Sequence, residues 1–241
     1  MGRAFEFRKG RKLKRWAHMA KTFTRLGKDI VIAIKEGGSS DPDTNSRLRA
    51  VLQNCKAENM PKDNIDRAIK RATDKDTSNY DERLFEGYAP HGIAVLVETA
   101  TDNNNRTVAN VRSYFNKVNG SLGTSGSVEF MFDHKCHFNV KKAEDLDVEE
   151  LELELIDFGA EEVFVEGEGE EEQVVIYGEF SNFGSLQKAL EEGGYEIIKS
   201  GLERIPTVTK ELNEEQQAEV DKLLEKLEDD DDVQNVYHTM A

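Results

Sequence analysis

The sequence has few cysteines, no long apolar run and none of the common catalytic signatures. Its two cysteines, Cys55 and Cys136, are too few for a disulfide framework, which fits a reducing compartment. No stretch approaches the ~18 consecutive apolar residues of a membrane helix, and the amino terminus lacks the apolar core of a secretory signal. We therefore expect a soluble cytoplasmic protein with no membrane partner.

The absence of catalytic and metal signatures limits the function further. No G-x-x-x-x-G-K-[ST], G-x-S-x-G or H-E-x-x-H pattern occurs. His134, Cys136 and His137 lie close together, but a zinc site needs four ligands and there is no second cysteine pair. The acidic run from Asp229 to Asp232 lacks the alternating spacing of a calcium loop, so we interpret it as a solvated turn. The sequence therefore singles out no catalytic or metal-binding group, and we expect no metal or cofactor.

Charge is distributed very unevenly along the chain. Up to Lys75 there are 19 Lys and Arg against 9 Asp and Glu, or +10, and the remaining residues have 13 against 39, or −26. A cationic segment attracts polyanions, whereas a strongly acidic one repels them. The first 75 residues therefore predict contact with nucleic acid, and the acidic remainder can orient the protein or bind basic proteins.

Three amphipathic helices are predicted in the basic segment, because its apolar residues recur at intervals of three and four. The first is predicted from Thr22 to Glu36, since the preceding residues have no uninterrupted apolar face. Asn45 or Thr44 can cap the second helix, and Pro61 suits the first position of the third. Three such helices with short joints form a small bundle.

Strand and helix patterns alternate after a polar linker at residues 73–80. A hairpin is predicted between residues 83 and 97, followed by a helix that Asn103 or Asn104 can cap and a strand at 128–132. These elements form a βαβ unit.

Two further units follow in the acidic part. Residues 136–198 have the order βαββαβ, which is typical of a ferredoxin-like domain. A last βαβ unit, with strands at 208–212 and 233–237, has no partner beside it in the sequence, so we predict that it completes the sheet of the first hairpin. The fold class predicted is α+β with three domains: a basic three-helix bundle (1–75), a ferredoxin-like α/β domain (80–132 plus 206–241), and a second ferredoxin-like βαββαβ domain (133–205) inserted into it.

Four long runs between residues 20 and 132 have glycine, proline and asparagine at fixed offsets. They read KTFTRLGKDIVIAIKEGG, NSRLRAVLQNCKAENMPKDNIDRAIKRA, FEGYAPHGIAVLVETATDNNNRTVANVRSYF and GSLGTSGSVEFMF. Together they resemble the YebC-type family, which includes bacterial probable transcriptional regulators and mitochondrial translational activators. The resemblance implies three domains and a non-enzymatic role in gene expression. That role is DNA binding in transcription regulation or, alternatively, RNA and ribosome binding in translation regulation.

Basic residues form the candidate nucleic-acid interface. Between Arg3 and Lys28 there are ten Lys and Arg and one acid, Glu6, and Trp16 can stack on an unpaired base. The segment NMPKDNIDRAIKR resembles a helix-turn-helix joint, although plain bundle packing explains it equally well. A solvated cationic face with Trp16 in the core is the alternative. The candidates are Arg3, Arg8, Lys9, Arg11, Lys12, Lys14, Arg15, Trp16, Lys21, Arg25, Lys28, Arg47, Arg49, Lys62, Arg67, Lys70 and Arg71.

The stretch ETATDNNNRTVAN is a second candidate site, because ligands often bind where a strand ends and a helix begins. Its polar residues are Asp102, Asn103, Asn105, Arg106 and Thr107. A helix-capping network explains them without a ligand, and we favour it over catalysis. The loop stays a candidate partner contact.

The expected partners follow from charge and resemblance. They are nucleic acid, either DNA or ribosomal RNA within the ribosome, and basic ribosomal proteins as further candidates for the acidic domains. The net charge of −16 disfavours self-association, so a monomer is expected.

Overall fold

A helical bundle precedes two antiparallel sheets, each with helices packed against it. The computed structural model describes residues 3–74, 79–143, 146–167, 169 and 172–241, with side chains from residue 19 onward. The helices are α1 (Arg3–Gly37), α2 (Ser46–Ala57), α3 (Lys62–Thr73), α4 (Asn104–Lys117), α5 (Val148–Ile156), α6 (Phe183–Glu192) and α7 (Glu214–Glu228). The strands are β1 (Asp81–Tyr88), β2 (Ala94–Thr101), β3 (Ser121–Leu122), β4 (Phe132–Lys141), β5 (Ala160–Glu166), β6 (Gln173–Glu179), β7 (Ile197–Pro206) and β8 (Val233–His238).

The first three helices share one apolar core. Ile30 and Ile34 lie one turn apart on α1 and pack with Leu48 of α2 and Ala68 of α3. Of the two predicted caps of α2, Thr44 and Asn45, the structure has Asn45, which accepts the N–H of Leu48 at 3.0 Å. None of the described helices is long and apolar enough to cross a membrane.

Helix α1 begins at Arg3, whereas the sequence predicted a start at Thr22. The residue types that are abundant before residue 22 are Arg, Lys and Ala, and all three have high helix propensity. Adding residues to an existing helix is far easier than nucleating one, so the packed half of α1 can propagate through a segment that lacks an apolar face.

The first sheet has the strand order β3-β1-β2-β8, with all neighbours antiparallel. Helices α4 and α7 cover one face, where Phe115 and Leu223 pack against Val95 and Val97. Since β8 pairs with β2, the chain leaves this sheet after β3 and returns to it only at its end. This confirms the predicted α+β class with one sheet unit inserted into another, while the exact domain limits remain predictions.

The inserted sheet has the order β5-β6-β4-β7, again antiparallel throughout. The sequence of elements from β4 to β7 is βαββαβ, and the outer position of its second and fourth strands is that of a ferredoxin-like fold. Phe138 and Ile176 of the central strands pack on Leu151 of α5 and Leu186 of α6.

The predicted strand at 128–132 is wrong. Residues Glu129–Met131 form a 3-10 turn, and Phe132 already begins β4. The cause lies on β1, where the buried carboxylate of Glu86 accepts the backbone N–H groups of Gly126, Val128 and Glu129 at 2.5, 2.7 and 2.8 Å. Those donors are therefore unavailable to a strand ladder, and the chain bends around the carboxylate.

The predicted strand at 208–212 is also wrong. Lys210 forms one isolated bridge with Met240, its N–H donating to the carbonyl of Thr239 at 2.7 Å. Val208 is 66% exposed, so its apolar side chain contributes little burial that would hold the segment against a sheet. The alternation of apolar residues there reflects a surface connection.

Candidate nucleic-acid interface

The predicted basic residues with described side chains divide into two groups. Those of the first group, the docked cations, contact acidic side chains or carbonyls, mostly of the two sheet domains; those of the second, the α3 cations, lie exposed on one helix. The docked cations are Lys21, Arg25, Lys28, Arg47 and Arg49. The α3 cations are Lys62, Arg67, Lys70 and Arg71. The other candidates, from Arg3 to Trp16, belong to α1. The structure describes their backbone and not their side chains.

Lys28 is the most deeply buried docked cation, at 7% exposure. Its ammonium donates to the carbonyls of Ala100 and Asp231, both at 2.7 Å, and to the carboxylate of Asp232 at 3.1 Å. Asp232 also accepts from Arg106 at 2.7 Å and Thr107 at 2.9 Å. Burial opposes ionisation, but the hydrogen bonds from Arg106, Thr107 and Lys28 outweigh it and lower the pKa of Asp232. The result is a buried ion pair between α1 and the first sheet.

Lys21 and Arg25 lie on the same face of α1, at the positions seven and three residues before Lys28. Lys21 pairs with Asp229, and Arg25 donates to the carbonyls of Val233 at 3.1 Å and Glu228 at 3.2 Å. All three cations therefore bind one stretch, residues 228–233, which we call the docking segment.

The interpretation of Asp229 to Asp232 as a solvated turn holds for Asp229 and Asp231, which are exposed, but is wrong for Asp232. Asp229 pairs with α1, and Asp232 is only 6% exposed. Asp230 accepts the hydroxyl of Tyr114 at 2.9 Å, and burial together with that bond raises the pKa of Tyr114 to about 12. The acidic run binds the basic side chains of α1. Composition alone could not show this contact.

The cations of α2 contact three different parts of the molecule. Arg47 pairs with Glu36 of α1 and with Glu82 of β1, the latter at 2.8 Å. Arg49 donates twice to Glu191 of α6, at 2.7 and 2.9 Å, a planar arrangement that favours Arg over Lys. Helix α2 is thereby joined to both sheet domains.

Asn54 makes a contact that the sequence analysis missed. Its side-chain amide donates to the carbonyl of Ser200 at 2.7 Å, and its oxygen accepts the N–H of Ser200 at 2.9 Å. The amide thus satisfies both backbone groups of one residue on the edge strand β7, as a neighbouring strand would. A single Asn within a helical pattern carries no sequence signal for this role.

The α3 cations are exposed. Arg67 donates to the carbonyl of Asp63 at 3.1 Å and to the side chain of Asn64, and Arg71 lies 5.1 Å from the centre of the Tyr80 ring. Their spacing over ten residues corresponds to ~14 Å along the helix. They form a cationic strip on the face of the bundle.

The predicted loop at residues 101–107 has the capping network that the sequence favoured. Asn103 accepts the N–H of Arg106 at 3.1 Å, and Arg106 pairs with Asp102 at 2.9 Å. Arg106 and Thr107 also bind the buried carboxylate of the docking segment. Asn105 is exposed, and a partner contact at this loop remains a prediction.

His134, Cys136 and His137 all lie on β4, with His137 on the opposite face of the strand from the other two. His134 stacks on Phe180 with ring centres 4.4 Å apart, and the thiol of Cys136 donates to a backbone carbonyl in the core. Within the described ranges, no group of three or more His, Cys, Asp and Glu side chains is placed to hold a metal ion.

The arrangement of domains has a counterpart among known proteins. A model for the "TACO1/YebC protein N-terminal domain" matches residues 3–75, and one for the "TACO1/YebC second and third domain" matches residues 80–240. The chain belongs to the TACO1/YebC family. The resemblance to YebC-type proteins is thus confirmed.

Similar TACO1/YebC proteins are named as regulators. A "probable transcriptional regulatory protein" of Flavobacterium johnsoniae is 70% identical over 240 residues, covering 100% of this chain and 99% of that protein. One of Parabacteroides distasonis is 61% identical, covering 100% and 97%. A crystal structure of a conserved hypothetical protein from Aquifex aeolicus matches with a TM-score of 0.73 and 38% identity, over 92% of this chain and 90% of that one. These names support a role in regulation.

Proposed function

We propose that this TACO1/YebC protein is a non-enzymatic regulator of transcription that binds DNA through its basic helical bundle. The observation that carries the proposal is that the α3 cations are exposed and that none of them pairs with a carboxylate among the described residues, whereas the docked cations contact carboxylates or carbonyls outside their own helix. Exposed Lys and Arg on one helix can neutralise phosphates without first breaking an ion pair.

The first half of α1 adds further basic residues to the bundle. Seven Lys and Arg lie between Arg3 and Arg15 on one continuous helix of 35 residues. At 1.5 Å per residue that helix is about 50 Å long, enough to follow several phosphates of a duplex. Phosphate contacts of this kind supply affinity and orientation, whereas base contacts would have to supply sequence preference.

The acidic domains limit how DNA can approach. Residues after Lys75 carry a balance of −26, and the docking segment fixes them to α1. Because like charges repel a polyanion, DNA should bind on the bundle side only. This gives the protein one orientation on its target.

Salt-dependent titration of the full chain on duplex DNA tests the proposal. The logarithm of the binding constant should fall linearly with the logarithm of salt concentration, with a slope of ~0.9 per neutralised phosphate and therefore of several overall. A transcriptional regulator should also prefer its own site over bulk DNA by ~10³-fold or more. An affinity independent of salt would overturn the proposal.

Ribosome binding in translation regulation is the second candidate, and the acidic surface favours it. Carboxylate-rich domains can face basic ribosomal proteins while the cationic bundle holds ribosomal RNA. In that case the protein should co-sediment with ribosomes and show no large preference for any DNA site. Crosslinking in cells, followed by identification of the attached nucleic acid, separates the two candidates.

A further inference from the structure

A groove of about 510 Å³ opens between α1 and α3, beside the α3 cations. Its floor consists of Met60, Ala68 and Tyr80, which are each less than 10% exposed. Phe23 and Gly27 of α1 line the opposite side. The volume lies within the ~300–1,000 Å³ typical of ligand sites, and an apolar floor with a few polar groups at the rim is their usual composition.

Cations border this groove, and no Asp or Glu is among its described lining residues. That is unusual in a chain with 48 acidic and 32 basic residues. Arg67 and Arg71 lie one turn apart at the rim and are exposed, whereas the charge of Lys28 is already paired with Asp232. The guanidinium group of an arginine has five N–H donors. Arg67 uses its Nε and its Nη2 for contacts within α3, so donors remain for an anion.

Gly27 keeps the groove open. A glycine inside a helix is unfavourable relative to alanine, so its presence calls for a reason. Packing does not require it, because a Cβ added at Gly27 would have no atom within 4 Å. At Gly37, by contrast, an added Cβ would approach the Asn45 side chain to 2.4 Å. The missing side chain at Gly27 leaves space that a ligand can fill.

We propose that this groove receives one unpaired nucleotide of a bound nucleic-acid strand. The base lies against Phe23 and the apolar floor, and the phosphate pairs with Arg67 and Arg71. A base within a duplex has both faces covered by its neighbours, so only an unpaired base can enter. The inference rests on the proposed nucleic-acid binding and deepens it, and its chemistry is shared by DNA and RNA strands.

Fluorescence anisotropy with the full chain tests the groove. The probes are a short DNA duplex, the same duplex with one unpaired nucleotide, and single strands of DNA and RNA of the same sequence. Stacking of one base predicts roughly tenfold tighter binding of the probes with unpaired nucleotides than of the perfect duplex. Tighter binding of either single strand than of the perfect duplex would support the proposal. The strand that binds more tightly, DNA or RNA, would be identified as the natural ligand.

Gly27→Leu fills the groove and supplies the decisive comparison. The variant should lose the preference for unpaired nucleotides, keep its duplex affinity and melt no lower than the wild type, because leucine is the better helix former. Gly184→Leu is the matched control, since Gly184 also lies in a helix with no atom within 4 Å of an added Cβ. It should bind all probes as the wild type does.

The outcomes separate this inference from the proposed function. Equal binding of paired and unpaired probes, or a preference that survives Gly27→Leu, would overturn the groove and leave nucleic-acid binding intact. No salt-dependent binding of any probe would overturn both. A poly-glutamate peptide provides a further test. If it displaces the probe from the wild type but does not bind Gly27→Leu, the groove binds acidic peptides, and the proposal that it receives a nucleotide is overturned.

Discussion

The docked cations and the α3 cations belong to one domain and consist of the same residue types, yet their surroundings differ completely. Lys28 is 7% exposed and pairs with a buried carboxylate, whereas Lys62 and Lys70 on α3 are exposed. The docked cations hold the bundle to acidic partners within the chain. The α3 cations are therefore the better candidates for binding a partner from outside.

The comparison shows that local charge predicts attraction to a polyanion but does not say which polyanion. The docking segment is itself a short acidic run, and α1 binds it much as it would bind phosphates. A basic segment in an otherwise acidic chain has an internal partner available. Its free cations can be identified only after the internal pairs are known.

The largest effect is expected from breaking the buried pair of the docked group. Asp232→Ala leaves Lys28 buried without its carboxylate, which typically costs about 3–5 kcal/mol. Denaturation in urea would measure the loss. Asp231→Ala is the matched control, because the side chain of Asp231 is exposed and Lys28 contacts only its carbonyl. That variant should stay within ~0.5 kcal/mol of the wild type, and equal losses would mean that the carboxylate of Asp232 does not hold Lys28 in place.

The α3 group should respond in binding and not in stability. Lys62→Glu combined with Lys70→Glu should lower the salt slope of nucleic-acid binding by about two, one for each phosphate contact, with little change in unfolding free energy. A pair of anisotropy titrations at several salt concentrations would measure it. The control, Lys222→Glu on the exposed surface of α7, changes charge away from the bundle. An unchanged slope in the α3 variant would contradict its role as the interface.

A carboxylate on the docked face of α1 should make stability depend on pH. Asp29 accepts the side-chain amide of Gln234 at 2.8 Å, and burial raises its pKa from 3.8 to about 7. Burial is compatible with the protonated, neutral form of Asp29. The stability contributed by this form is fully present below pH ~4 and is lost as pH rises through about 7.

Asp29→Asn should therefore lose less stability than the wild type between pH 4 and pH 8, with a difference on the order of 1–3 kcal/mol. Chemical denaturation at a series of pH values would show it. Asp66→Asn, at an exposed position on α3, controls for the change in net charge. If stability depends on pH in the same way for the wild type and for Asp29→Asn, burial does not raise the pKa of Asp29.

The smallest effect is expected at the exposed end of the docked group. Lys21 and Asp229 are 37% and 57% exposed in their side chains, so water and salt screen the pair. Lys21→Ala should cost at most ~1 kcal/mol by urea denaturation. If Lys21→Ala lost as much unfolding free energy as Asp232→Ala, burial would not determine how much each docked contact contributes to stability.

Much of the fold could be predicted because its signals are local. Asn45 before an apolar helical repeat predicted the start of α2, and the βαββαβ order predicted the inserted sheet. The two wrong strands, at 128–132 and 208–212, failed for a non-local reason. Glu86 binds the backbone before β4, and the second stretch has a single bridge, to the end of the chain.

The candidate site could be predicted only as a composition. The sequence identified the basic residues of α1, α2 and α3 but gave no means to divide them, because their partners lie up to ~200 residues away. Asn54 and Asp232 carried no signal of their own roles, since one is an ordinary helical amide and the other one of four consecutive aspartates. Each obtains its role from a distant element.

By itself the sequence determined the charge of each domain, the periods of its helices and strands, and the family to which it belongs. The periods depend on neighbours within a few residues, and the charge and the family can be read from the residues without knowing their contacts. Only the tertiary structure decided which cations are neutralised, where Gly27 leaves an open groove, and that Asp232 is buried beneath α1. Those properties depend on burial and on contacts between residues far apart in sequence, which packing alone establishes.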